Sequence, residues 1–110
     1  ALLIQLGAGS VTTSGYLGTG YNLGSTAVNY TTGFGDGLTS AACLRQGSFV
    51  ISSFGSNTWV CGANIGTSDA ARIAAISGSV TLSGALDRVR ITTTNGTDAF
   101  DSGSINILYE

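Results

Sequence analysis

Apolar and polar residues alternate most clearly near the end of the chain. Residues 89–94 set Val89, Ile91 and Thr93 on one face and Arg90 and Thr92, with the preceding Arg88, on the other, the period of two that a half-buried strand requires. Residues 104–109 repeat the pattern with Ile105, Ile107 and Tyr109 on a shared face. An antiparallel hairpin between these runs satisfies every apolar position in one register: Ile91 opposite Ile107, Val89 opposite Tyr109 and Thr93 opposite Ile105. The expectation is that this closing ribbon turns its isoleucines and tyrosine inward and locks the body of the domain.

Upstream, residues 1–6 form an almost continuous apolar run, the mark of a strand buried on both faces. The turn signal Gly7-Ala8-Gly9-Ser10 then leads into a second strand at 11–17. Residues 18–40 are punctuated by glycine and read as loop, apart from one strand at 27–32. A hairpin joins 42–54 to 58–63 across Gly55-Ser56-Asn57 and places Cys61 opposite Ile51. Residues 65–71 read as loop, and 72–76 and 80–82 as two strands parted by Ser77-Gly78-Ser79. Residues 68–75 have helical composition, but the window is shorter than the roughly 12 residues a credible isolated helix needs. Eight or nine short strands joined by Gly, Ser and Asn turns predict one all-β domain over 1–110, an antiparallel β-sandwich of jelly-roll type. The abrupt apolar start at Ala1 and the absence of methionine are the expected marks of the C-terminal piece of a longer chain.

Charge sharpens this picture. Only 9% of the 110 residues are charged, against roughly 25% in an ordinary soluble domain. A surface of Ser, Thr, Gly and Asn suits a protein that packs against copies of itself. With four arginines, no lysine and a net charge of -2, there is no basic stripe for a nucleic acid. No apolar run approaches the roughly 20 residues of a membrane span.

The inventory of reactive groups is short. Without histidine or lysine, the usual general bases and Schiff-base nucleophiles are missing, which argues against an enzyme. Asp98 and Asp101 are the one close carboxylate pair, but both sit on a single loop, a poor match to the facing carboxyls of a glycosidase. The oxygen-rich loop 95–102 raises the question of calcium. It lacks the glutamate and regular spacing of a calcium loop, so turn formation is the favoured reading, with no metal or cofactor, and Phe100 is expected to plug that loop onto the sandwich. The hairpin register separates Cys43 and Cys61 by roughly 26 Å at about 3.3 Å per residue, too far for a disulfide. Two free, buried thiols fit assembly in a reducing cytosol better than secretion. Arg88 and Arg90 read as a solvated face or as partners for Asp87 or Asp101.

Ligand-binding candidates are aromatic. Tyr16, Tyr21, Tyr30 and Phe34 lie in the glycine- and hydroxyl-rich segment where a binding surface is expected. Trp59 faces the same way as Cys61 in its strand, as a core anchor or as a platform for a sugar ring.

Residues 86–110, from Leu86-Asp87-Arg88-Val89-Arg90-Ile91 to Ile105-Asn106-Ile107-Leu108-Tyr109-Glu110, resemble the C-terminal end of tail-fibre or tail-tip proteins of tailed bacteriophages. Leu2-Leu3-Ile4-Gln5-Leu6-Gly7, Thr13-Ser14-Gly15-Tyr16-Leu17-Gly18 and Asn57-Thr58-Trp59-Val60 share the resemblance, whereas 20–46 does not. It implies a virion tail component assembled in the host cytoplasm: a trimeric β-sandwich at the distal end of a fibre, touching other tail proteins and a host-surface glycan or protein. It supplies no catalytic residues. Two alternatives stay open, a purely architectural tail or capsid-decoration module, and a pilus-like filament subunit whose apolar N-terminal run completes a neighbour's sheet.

Overall fold

A computed structural model describes residues 1–38, 43–68, 71–96, 100 and 103–108. Among them the chain is all-β, with nine strands and no helix. These are β1 (Leu2–Ala8), β2 (Ser10–Val11), β3 (Leu17–Asn22), β4 (Val28–Tyr30), β5 (Phe34–Gly35), β6 (Arg45–Ser53), β7 (Thr58–Thr67), β8 (Ile73–Thr81) and β9 (Arg88–Thr93). They form two antiparallel sheets, one of five strands in the order β4-β3-β8-β7-β6, and one of four built around β1. β9 takes one edge of β1, while β5 and β2 share the other.

β1 is the centre of the smaller sheet because both its faces find cover. Ile4 and Leu6 enter the core between the sheets. On the opposite face Leu3 and Gln5 are also buried, beneath the turn before β5, where the Gln5 Nε2 amide donates to the Thr32 carbonyl at 2.7 Å. The apolar N-terminal run thus finds partners within its own sheet.

The inward set of β9 is the expected one, but its partner is not. Val89, Ile91 and Thr93 stand opposite Leu6, Ile4 and Leu2 of β1, and Ile105 and Ile107 are in no strand. β1 takes one edge of β9, where it offers large apolar side chains backed by a second layer, and no strand of the described residues lies along the other edge. Residues 103–108 form no strand, and Ile105, Ile107 and Leu108 are 67%, 64% and 90% exposed. Tyr109 lies outside the described residues, as do Asp98, Asp101 and most of the loop read for calcium. Phe100 is exposed and plugs nothing in this chain.

The hairpin of β6 and β7 has the expected register, Ile51 opposite Cys61, and turns through Gly55, Ser56 and Asn57, all at positive φ. Cys43 and Cys61 are free; Cys61 is buried, whereas Cys43 is only half-buried. β8 is one continuous strand through Ser77-Gly78-Ser79, and β7 runs on to Thr67. The predicted strand at 11–17 ends at Val11, and Leu17 instead opens β3 in the other sheet.

β3 was hidden by its glycines. Gly18 and Gly20 alternate with Leu17, Thr19 and Tyr21, and they face inward where β5 crosses. A Cβ on Gly20 would strike the Gly35 carbonyl, and one on Gly35 would strike the Tyr30 ring. Such close backbone approach excludes any side chain, so the glycines act here as packing residues rather than turn formers.

Asp87 ties the first turn to the start of β9. Its Oδ2 accepts from the Gly9 amide at 2.9 Å and its Oδ1 from Arg88 Nε at 2.8 Å. The bond from Arg88 chiefly, helped by that from Gly9, holds the carboxyl below its ordinary 3.8. A depressed carboxylate adds stability above its unfolded pKa and loses it as pH falls through the folded value. Following the Gly9 amide shift by NMR as pH falls should therefore give a midpoint below 3.8, and Asp87→Asn should abolish that titration.

Candidate functional site

The sheets do not gather the five candidate aromatics into one place. Tyr16 and Phe34 are 1% and 0% exposed and meet edge to face, ring centres 5.1 Å apart at 89°. Both are core residues, which corrects their reading as parts of a binding surface. The Tyr16 hydroxyl accepts from the Leu6 amide at 2.8 Å and lies 2.8 Å from the Thr12 carbonyl, to which it donates. Burial raises its pKa above 10.0, opposed by the bond with Leu6. It thereby pins the loop after β2 to β1.

Tyr30 lies half-buried on the inward face of β4, where its hydroxyl accepts from the Gly37 amide at 3.1 Å. Desolvation pushes this hydroxyl up; the Gly37 bond opposes the rise and the Asp36 carboxylate adds to it. Tyr16, Tyr30, Leu17, Thr19, Asn29 and Thr31 belong to the lining of a shallow recess of about 370 Å³ at the β3–β4 edge, within the size range of small-ligand sites.

Tyr21 stands on the outer face of the five-stranded sheet, half-buried, with Ala75 of β8 and then Asn64 of β7 beside it in register. Thr19, two positions away on β3, presents its hydroxyl on the same face, 3.4 Å from Asn29 Oδ1 of β4. Following the register outward through Ser77, Gly62 and Val50, and along each strand by twos, no outward position of the five strands carries a charge. Arg45, the one charged residue of these strands, points inward to Asp36. The result is an uncharged face of hydroxyls, amides and aliphatic side chains, among them exposed Leu17, Val50 and Ile73, with one aromatic ring at its β3 side. Thr19, Asn29 and Asn64 share this face with Tyr21; glycine spacing concealed β3 in the sequence, where the alternation of Leu17, Thr19 and Tyr21 was the available signal.

Trp59 faces inward at the other side of the sandwich, packed against the core and on the wall of a wide cleft of about 2320 Å³ between β6 and β9. Its Nε1 is buried and has no hydrogen-bond partner among the described residues. Residues 103–108 also line this cleft.

Compared with protein-family models, with characterised proteins and with solved structures, the chain matches none.

Among the described residues, no three His, Cys, Asp or Glu side chains come together as a metal-binding group. The Cys61 thiol is pushed up to about 12 by burial, so it stays protonated and unreactive at neutral pH.

Proposed function

We propose that the chain is a binding and assembly module, a tail-fibre tip of the tailed-bacteriophage kind, that touches a neutral glycan on a host surface. The observation that carries this reading is the charge-free outer face of the five-stranded sheet, with Tyr21, Thr19 and Asn29 gathered at one side of it. Neutral sugars are recognised by an aromatic ring against the apolar face of a pyranose and by hydroxyl and amide groups around it, and need no charged partner. Weak single sites of this kind become strong when several copies are held together, with gains of roughly 10² or more where geometry allows. The paucity of charge across the chain supports the assembling half of the reading. An architectural role without a ligand is the alternative; Leu17 and Leu23, 76% and 70% exposed at the same side of the sheet, favour it as a packing surface.

A glycan array probed with the native assembly separates the two. Binding of a neutral glycan is expected, lowered about tenfold or more in Tyr21→Ala, since a central aromatic contact contributes roughly 2 kcal/mol. Tyr21→Phe should retain most of it. An array with no hits, or hits that Tyr21→Ala leaves unchanged, overturns the glycan reading.

A further inference from the structure

We infer that the cleft between β6 and β9 is closed by a second copy of this chain, whose residues 104–108 add as a strand to the free edge of β9. β9 pairs only with β1, and β6 ends the five-stranded sheet, so two sheet edges border one cleft without a further strand beside either among the described residues. Val89 on β9 is 44% exposed, and Ile91 on β9 and Phe49 and Ile51 on β6, which face the cleft, are only half-buried. The cleft is therefore lined by residues that elsewhere in the fold would be covered.

Free edges are normally blunted by lysine, proline or a bulge. This chain has no lysine or proline, and the charged residues of β9, Arg88 and Arg90, share the face opposite to that of Val89 and Ile91. β6 runs from Arg45 to Ser53 in unbroken register, without a bulge. These edges are competent to pair, and the occupant they call for is a strand with apolar residues at alternate positions.

The described residues contain one such segment left unpaired, Ser104-Ile105-Asn106-Ile107-Leu108. It runs along the cleft lining with its isoleucines about two-thirds exposed. Placed antiparallel to β9 with Ile107 opposite Ile91 and Ile105 opposite Thr93, it turns both isoleucines toward the Trp59 side of the cleft and extends the smaller sheet. Within one chain the segment has the opportunity to do this and does not. Folded back on its own chain it could cover only one of the two edges, whereas a second copy brings a tail for β9 and a body to lie against β6. Exchange of an identical element between protomers reuses contacts the sequence already encodes. The inference rests on the assembling half of the proposed function and is independent of any glycan.

Disulfide trapping between two populations tests it. In a Cys43→Ser background, which removes the more accessible thiol, one population carries Thr93→Cys and the other, with an affinity tag, carries Ile105→Cys. Cross-strand neighbours lie within disulfide reach. Mixing under mild oxidation should give a covalent heterodimer, several-fold more than when Ser77→Cys on the outer face replaces Thr93→Cys. Native mass spectrometry should show the full chain as an oligomer and a chain ending at Gly103 as a monomer. Failure to form the heterodimer, or an oligomer that survives the truncation, overturns strand exchange; in the latter case assembly itself stands and is carried by another face. A full chain that is monomeric overturns both.

Discussion

Replacing Asp36 by alanine is expected to cost about 3–5 kcal/mol, the usual loss when one member of a buried ion pair is removed. The Asp36 carboxylate is completely buried and serves three elements at once. Its Oδ1 accepts from the Leu2 amide at 3.1 Å and the Leu38 amide at 3.0 Å, and its Oδ2 from Arg45 Nε at 2.7 Å. Arg45 in turn donates from Nη2 to the Leu38 carbonyl at 2.8 Å. Without the carboxylate, the amides at the start of β1 and after β5 lose their acceptor, and a guanidinium only 17% exposed faces a vacant site. Urea unfolding followed by tryptophan fluorescence measures the loss, read from the midpoint at constant m-value. Asp36→Asn keeps one acceptor oxygen and should cost less than alanine. A loss below about 1 kcal/mol, the level of a surface pair, would show that Asp36 is solvated in solution.

Phe34→Ala is expected to destabilise by a similar amount, about 3–5 kcal/mol, through lost burial and the cavity left behind. Phe34 is fully buried and lies edge-on to Tyr16, and a Cβ on Gly78 would come within 3.1 Å of its ring. It is the plug between the sheets at the point where the glycines of β3 and β8 let β5 come close, so the surrounding backbone has little room to collapse into the space. Val50→Ala, on the outer face of β6, is the comparison, and should change stability by no more than about 0.5 kcal/mol. Because Phe34 and Asp36 flank Gly35, their combined substitution should depart from additivity. Against a total stability of roughly 5–15 kcal/mol for a domain, either loss is large enough to be read as a shifted midpoint or as outright unfolding.

How legible the fold was depended on how local the deciding interaction is. The β6–β7 hairpin, with its turn at Gly55-Ser56-Asn57 and Cys61 opposite Ile51, could be read directly because the turn and the alternation of one ribbon set the register together. The double-sided burial of β1 was legible in its unbroken apolar run. β3 was not, because Gly18 and Gly20 look like turn punctuation until β5 is known to pass over them. Gly78 misled in the same way and split one strand into two. The candidate site suffered most from this. Tyr16 and Phe34, taken as surface, were drawn into the core by a crossing that no short window contains, while Thr19 and Asn29 were passed over.

What the amino-acid order determined by itself was the class of structure and the inward faces of β9 and of the β6–β7 hairpin: period-two alternation, dense turn residues and scarce charge leave little but stacked antiparallel sheets, and the side of β9 that carries Val89 and Ile91 is set by its own spacing. Tertiary structure alone decided which partner each face received. Two segments, β1 and the tail at 104–108, both offer apolar residues at the right interval for β9, and alternation cannot say which of them lies beside it within the chain. β1 takes one edge because it is itself buried on both sides, so pairing with it removes much apolar surface from water.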